Sequence, residues 1–110
     1  MNKKYVLKHN HEIEALLSQR RSVGSKYYVV FYERNDDTKV AISVSKKLGD
    51  AVIRNYQKRV TREILRKKRI DYEGYKILLV CKEASKDLDF ENKYKQIEYI
   101  LNKMKNEKKA

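Results

Sequence analysis

The side chains best suited to act on another molecule lie between Ser43 and Arg69, in the run SVSKKLGDAVIRNYQKRVTREILRKKR. From Lys46 to Arg69, ten Lys or Arg stand against two acids, Asp50 and Glu63, a net charge of +8 within 24 residues where the whole 110-residue chain carries +12. The chemistry this offers is polyanion binding. Guanidinium groups engage phosphate in bidentate fashion, and ammonium groups act as point charges. Winding residues 52–67 at about 100° per residue puts Arg54, Asn55, Lys58, Arg59, Arg62 and Arg66 on an arc roughly 140° wide. Val52, Ile53, Tyr56, Val60 and Ile64 fall on the opposite arc, which is expected to face a core. A merely solubilising face would mix both signs, and this arc carries no acid. Asn55 adds a neutral donor and acceptor suited to phosphate, a 2′-hydroxyl or metal-bound water. Lys46, Lys47 and Gly49 precede the helix, so the loop and the helix N-terminus can join one anion site.

Covalent catalysis has no comparable support. There is no HExxH, no Gly-rich phosphate loop and no Cys pair at metal spacing. His9 and His11 are two residues apart and do not share a helix face. Cys81, the one cysteine, lies in the apolar run Ile77-Leu-Leu-Val-Cys81 and reads as a buried strand thiol. No nucleophile, base and orienter set is visible, so no catalytic residue is assigned and a protein-side metal site stays unassigned.

These residues need a scaffold, and composition permits one. A hydrophobic fraction of 41% argues against disorder despite 38% charged residues. The expectation is a single domain over residues 1–110 with a frayed tail from about 105. An isoelectric point near 9.8 favours an anionic partner. No stretch approaches the ~20 apolar residues of a membrane span, and MNKKYVLKHNHE has no apolar signal region. A reducing cytoplasm, a monomer and no membrane partner are expected.

Asn10–Arg20 reads as a short helix, with Asn10 as N-cap and Ile13, Leu16 and Leu17 as its apolar stripe. Tyr27–Tyr32 and Lys39–Ser45 read as strands joined through the turn Asn35–Thr38 into a β-hairpin. Ala41, Ser43 and Ser45 then give the second strand a small, partly polar side beside the aromatic strand. That side suits either a shallow binding groove or close helix packing. The basic helix starts near Asp50 or Ala51. Tyr75–Lys82 is a strand apolar enough to be buried on both faces, Ser85–Asp89 is a loop, and Phe90 to about Lys105 is a final helix. The order α-β-β-α-β-α gives an α+β sandwich, with a possible parallel β-α-β crossover around the basic helix.

KKLGDAVIRNYQKRVTRE, within Ser45–Glu63, strongly resembles the conserved block of the bacterial ribonuclease P protein component, approximately SKKxGxAVxRNxxKRxxRE. The element order extends the resemblance over almost the whole chain. It implies a domain similar to the second domain of ribosomal protein S5, with a left-handed β-α-β crossover. It implies as partners a ribonuclease P RNA subunit that hydrolyses precursor tRNA with bound magnesium, and the precursor tRNA itself. Lys46, Lys47, Arg54, Asn55, Lys58, Arg59 and Arg62 fall on the family's basic block, with Arg66 extending the ridge. Ile13, Leu17 and Phe31 fall on its cleft for the 5′ leader, and Tyr27 shares the strand parity of Phe31. The family's Arg-Asn-Arg appears here as Arg54-Asn55-Tyr56, and the two aromatics often found on the first helix appear as Ile13 and Leu17. Aliphatic side chains there weaken base stacking. Rival readings are a structural ribosomal protein or RNA chaperone, a DNA-binding protein and a stand-alone nuclease. Basic ridges alone do not separate the first two from the resemblance.

Overall fold

The computed structural model describes residues 21–106. The expected helix over Asn10–Arg20, with Ile13 and Leu17, lies outside the described residues. Within them the order is β1 (Ser22–Gly24), β2 (Tyr28–Arg34), β3 (Lys39–Val44), α1 (Ala51–Lys67), β4 (Tyr75–Cys81) and α2 (Phe90–Lys105). Short 3-10 turns occupy Lys46–Leu48, Arg69–Tyr72 and Glu83–Asp87. The last of these replaces the plain loop expected over Ser85–Asp89. The mixed α+β class stands.

The sheet order is β1-β2-β4-β3, which overturns the hairpin expected between β2 and β3. β4 lies between them, antiparallel to β2 and parallel to β3. The reason is in the sequence of β4. Ile77, Leu78, Leu79 and Val80 are apolar on both faces, and a strand of that kind needs a central position. The link Asn35–Thr38 must therefore cross the start of β4, and it is tied there. Asn35 N–H donates to the Gly74 carbonyl at 2.9 Å, and Gly74 N–H donates to Thr38 Oγ1 at 2.9 Å. Gly74 takes φ +83°, a left-handed turn conformation that favours glycine. The expected parallel crossover is present, running β3–α1–β4.

β1 was not anticipated. It pairs antiparallel with β2 through a tight connection in which Ser25 N–H donates to the Tyr28 carbonyl at 2.8 Å. Three residues with one buried side chain, Val23, are too few to show a period.

One face of the sheet carries the core. Val30 and Tyr32 from β2, Val40 and Val44 from β3, and Ile77, Leu79 and Cys81 from β4 meet Ile64 and Leu65 of α1. Ile97, Ile100, Leu101 and Met104 of α2 complete it, as its helical spacing predicts. Phe90, expected on that side, is 46% exposed, because it occupies the first helical position beyond the core. Cys81 is buried, its Sγ 3.4 Å from Thr61 Oγ1, and burial holds its thiol pKa above the ordinary value. Lys93 is buried too. Its ammonium donates to the carbonyls of Ser85 at 2.6 Å and Leu88 at 2.7 Å, closing the turn before α2, and burial lowers its pKa.

α1 is rotated from its expected setting by about one residue, roughly 100°. Its buried residues are Gln57, Thr61, Ile64 and Leu65, whereas Val52, Ile53 and Tyr56 face solvent. Thr61 is small enough to bring the helix against Cys81, so a polar residue occupies the centre of the buried stripe. Ile64→Ala should therefore cost about 2–5 kcal/mol, and Val52→Ala no more than about 0.5 kcal/mol. Urea unfolding of both variants checks this, and comparable losses would restore the original setting.

Beyond the C-terminal end of α1, Lys68 bridges Asp71 at 3.1 Å and Glu98 at 2.8 Å, and Lys105 bridges Asp71 at 3.1 Å. Partial burial alone would raise the Asp71 pKa, but the two ammonium groups outweigh it and hold the carboxyl below its ordinary 3.8. Asp71 then contributes stability that is complete above its unfolded pKa and lost as pH falls through the lower folded value. Asp71→Asn should lower stability at neutral pH and flatten the acid limb of the stability profile. Unfolding midpoints measured from about pH 6 down to about pH 2 test this; an unchanged acid limb would contradict it.

Candidate nucleic-acid interface

β3 ends beside the end of β4, where Ser45 N–H donates to the Cys81 carbonyl at 3.1 Å. The chain then makes the Lys46–Leu48 turn. Ser45 Oγ accepts from Lys47 N–H at 3.2 Å, and Leu48 drops into the core. Anchoring by Leu48 leaves Lys46 and Lys47 exposed. Gly49 follows at φ +143°, and a Cβ there would lie 2.9 Å from Ile53 Cδ1. Only glycine lets the loop close onto the helix. Asp50 caps α1, its Oδ1 accepting from Ile53 N–H at 3.1 Å, which is where the sequence places the helix start.

No acid lies within the first turn of α1. The positive end of the helix dipole therefore adds to Lys46 and Lys47, with only Asp50 opposing them. Asn55, Arg59, Arg62 and Arg66 run along the exposed face. Arg54 and Lys58 are half-buried on its flank, and Arg54 Nε is buried without a hydrogen-bond acceptor among the described residues. A donor in that state gains when an anionic oxygen reaches it.

The ridge is not uniform. Arg66 is paired with Glu63 at 2.6 Å, so part of its charge is already answered. Arg59 and Arg62 have no carboxylate partner among the described residues, nor do Lys46, Lys47 and Lys58. Elsewhere opposite charges meet: Lys68 and Lys105 at Asp71, Lys76 at Glu33, Lys95 at Glu91.

Tyr56 corrects a second expectation. It stands on the solvent face, 50% exposed, with the Arg59 guanidinium 5.6 Å from its ring centroid. Its i,i+3 spacing already puts it beside Arg59; that it faces solvent is visible only after the helix is set in its true rotation.

The other face of the sheet holds the second surface. Register places Phe31, Leu78 and Ala41 in one row across β2, β4 and β3, and Val29, Val80 and Ser43 in the next. Phe31, Ala41 and Val80 pack around Leu78 as a small cluster separate from the core. The groove beside Ala41 and Ser43 is thus walled by β4, not directly by the aromatic strand. Tyr27 does not join Phe31. It sits in the turn before β2 and packs against the main core. Strand parity cannot be extended into a turn.

This fold and this face define a small α+β domain that presents one polycationic helix. The family model described as Ribonuclease P matches residues 1–105, and the chain belongs to the ribonuclease P protein family. It is 36% identical over 110 residues to the ribonuclease P protein component of Mycoplasmopsis pulmonis, with 99% of each chain covered. To that of Carboxydothermus hydrogenoformans it is 38% identical over 112 residues, covering 96% of this chain and 95% of the other. The solved RNase P protein of Staphylococcus aureus matches with a TM-score of 0.84 at 30% identity, over 92% of this chain and 95% of that one. The Thermotoga maritima protein, at 24% identity and a TM-score of 0.80, covering 88% of this chain and 94% of its own, shares the fold. The family places the chain in ribonuclease P, an endoribonuclease of tRNA processing. Among the described residues no helix is long and apolar enough to cross a membrane.

The unanswered cations give a measurable signature. If about six phosphates are engaged, the log–log dependence of RNA affinity on salt should have a slope on the order of −4 to −5. Arg59→Ala with Arg62→Ala should flatten that slope by roughly 2 without lowering the unfolding midpoint. A matching loss of stability would mean that the arginines serve the fold.

Proposed function

We propose that this chain is the RNA-binding protein subunit of ribonuclease P. It binds the catalytic RNA subunit through the exposed face of α1 and the Lys46–Lys47 turn. It holds the 5′ leader of precursor tRNA on the Phe31–Leu78 face of the sheet, and so assists endonucleolytic release of the mature 5′ end. The observation that carries this reading is the group of cations on one face of α1 that lack carboxylate partners among the described residues, at positions that the sequence resemblance assigns to the family's basic block.

The proposed division of labour rests on what the chemistry requires. Hydrolysis of a phosphodiester needs an activated water and charge stabilisation at the phosphate. Among the described residues, no group of three or more His, Cys, Asp or Glu can hold a metal ion. The proposed place of magnesium is the RNA subunit, and no step is assigned to a protein-held ion. This chain's residues neutralise phosphates and position substrate. The protein is proposed to work in the cytoplasm and to be monomeric when free of RNA.

Leader binding requires surfaces on which single-stranded bases can rest. Phe31 is the aromatic ring on the face of the sheet opposite the main core, next to the buried Leu78. In holoenzyme reconstituted with a bacterial ribonuclease P RNA at low magnesium, Phe31→Ala should weaken precursor tRNA binding by about 1–3 kcal/mol. Mature tRNA, which lacks the leader, should bind as before. Equal shifts for both ligands would make Phe31 an ordinary packing residue and put the leader elsewhere.

A further inference from the structure

The exposed half of α1 holds a feature that phosphate binding does not use. Val52, Ile53, Asn55, Tyr56 and Arg59 line an open hollow of about 540 Å³. Its apolar members are not core: Val52 is 76% exposed, Tyr56 50% and Ile53 42%. Large apolar side chains on a polycationic face gain nothing from water and add nothing to phosphate contacts. They do offer a flat, greasy floor. The Arg59 guanidinium lies against the Tyr56 ring, a planar cation beside a planar π system. Asn55 brings an amide that can both donate to and accept from a base edge.

We propose that this hollow is a nucleobase pocket, in which one unpaired base of the ribonuclease P RNA stacks on Tyr56 and Arg59. Val52 and Ile53 form its apolar wall, and Asn55 reads or anchors the base edge. The assignment depends on α1 contacting the RNA subunit, as proposed above. Charge selects the occupant. Arg59 lies at the aromatic ring and Arg62 follows it along the exposed face, both without carboxylate partners among the described residues. That setting repels a second copy of a chain carrying +12 and suits a ligand that is aromatic and anionic at once. The Arg-Asn-Tyr sequence in this chain, Arg54-Asn55-Tyr56, thus offers a stacking ring where the family pattern has an arginine.

The test uses holoenzyme reconstituted with a bacterial ribonuclease P RNA and the variants Tyr56→Ala, Tyr56→Phe and Arg62→Ala. RNA-subunit affinity is measured against salt, and RNA base reactivity is mapped by chemical modification. Tyr56→Ala should weaken RNA-subunit binding about tenfold or more with the salt slope unchanged, because no phosphate contact is lost. One RNA base protected by the parent protein should become reactive. Tyr56→Phe should retain both affinity and protection, since the ring alone is needed. If Tyr56→Ala leaves affinity and the protection pattern as they were, or if it flattens the salt slope as loss of a cation would, the pocket does not hold a base. Loss of self-association in Tyr56→Ala, with RNA binding intact, would assign the hollow to a second copy and overturn the proposal. Arg62→Ala reports separately on the ridge: its slope should fall by about 1, and an unchanged slope would count against the RNA-subunit reading itself.

Discussion

The strand Tyr75–Cys81 is the constraint from which the rest of the architecture follows. Its apolar side chains point to both faces, so it must be covered on both and flanked on both edges. β2 and β3 are thereby held apart, and the chain between β3 and β4 must return along the sheet as α1. The parallel pairing of β3 with β4 puts the start of α1 at the carboxyl ends of those two strands. That is where open α/β sheets gather ligands, because loops and helix N-termini converge there. The Lys46–Lys47 turn and the positive end of α1 sit at that edge for this reason. A hairpin of β2 with β3 would have left β4 with an uncovered edge.

Charge is distributed in a way that separates folding from binding. At the far end of α1, cations meet carboxylates: Lys68 with Asp71 and Glu98, Lys105 with Asp71. Those contacts join the helix end, the following turn and α2. Along the exposed face, Arg59 and Arg62 have no such partners among the described residues. Like charges gathered on one face oppose folding modestly, and burial of Ile64, Leu65 and the α2 stripe outweighs that repulsion. A polyanion relieves it on binding. In the proposed role, the same residues weaken the free protein slightly and strengthen its complex.

Much of this was readable from residues alone, and the failures share a cause. Gly49 and Asp50 marked the start of α1 correctly because a left-handed glycine and an N-cap are local requirements. The α2 stripe Ile97, Ile100, Leu101 and Met104 was legible because, Lys93 apart, the buried face of the helix is apolar. α1 was misread by one residue because Gln57 and Thr61 occupy its buried stripe while Val52, Ile53 and Tyr56 do not. Hydrophobicity then points to the wrong face. The hairpin reading paired neighbours in sequence, although the double-sided apolarity of β4 already argued for a central strand. Tyr27 was assigned by strand parity at a position that belongs to a turn. Lys93 gave no signal, since a buried lysine satisfied by two carbonyls looks like a surface lysine in one dimension. The basic block stood out for the opposite reason: a concentration of charge needs no tertiary knowledge to be seen.

The misread helix is informative about how recognition is built. Along α1, the last turns are fixed by Thr61, Ile64 and Leu65 in the core, while the first turns carry Val52, Ile53 and Tyr56 in the open. A helix anchored at one end transmits that rigidity to the other through its backbone hydrogen bonds, at no further cost in side-chain burial. The backbone positions that carry the exposed cations and the Tyr56 ring are then fixed before any ligand arrives. Less backbone ordering entropy then remains to be lost in the proposed RNA complex. The loop side gains the same advantage from Leu48 and Gly49, which lock the Lys46–Lys47 turn onto the core and onto Ile53. Affinity on this surface thus depends on residues that never touch the ligand.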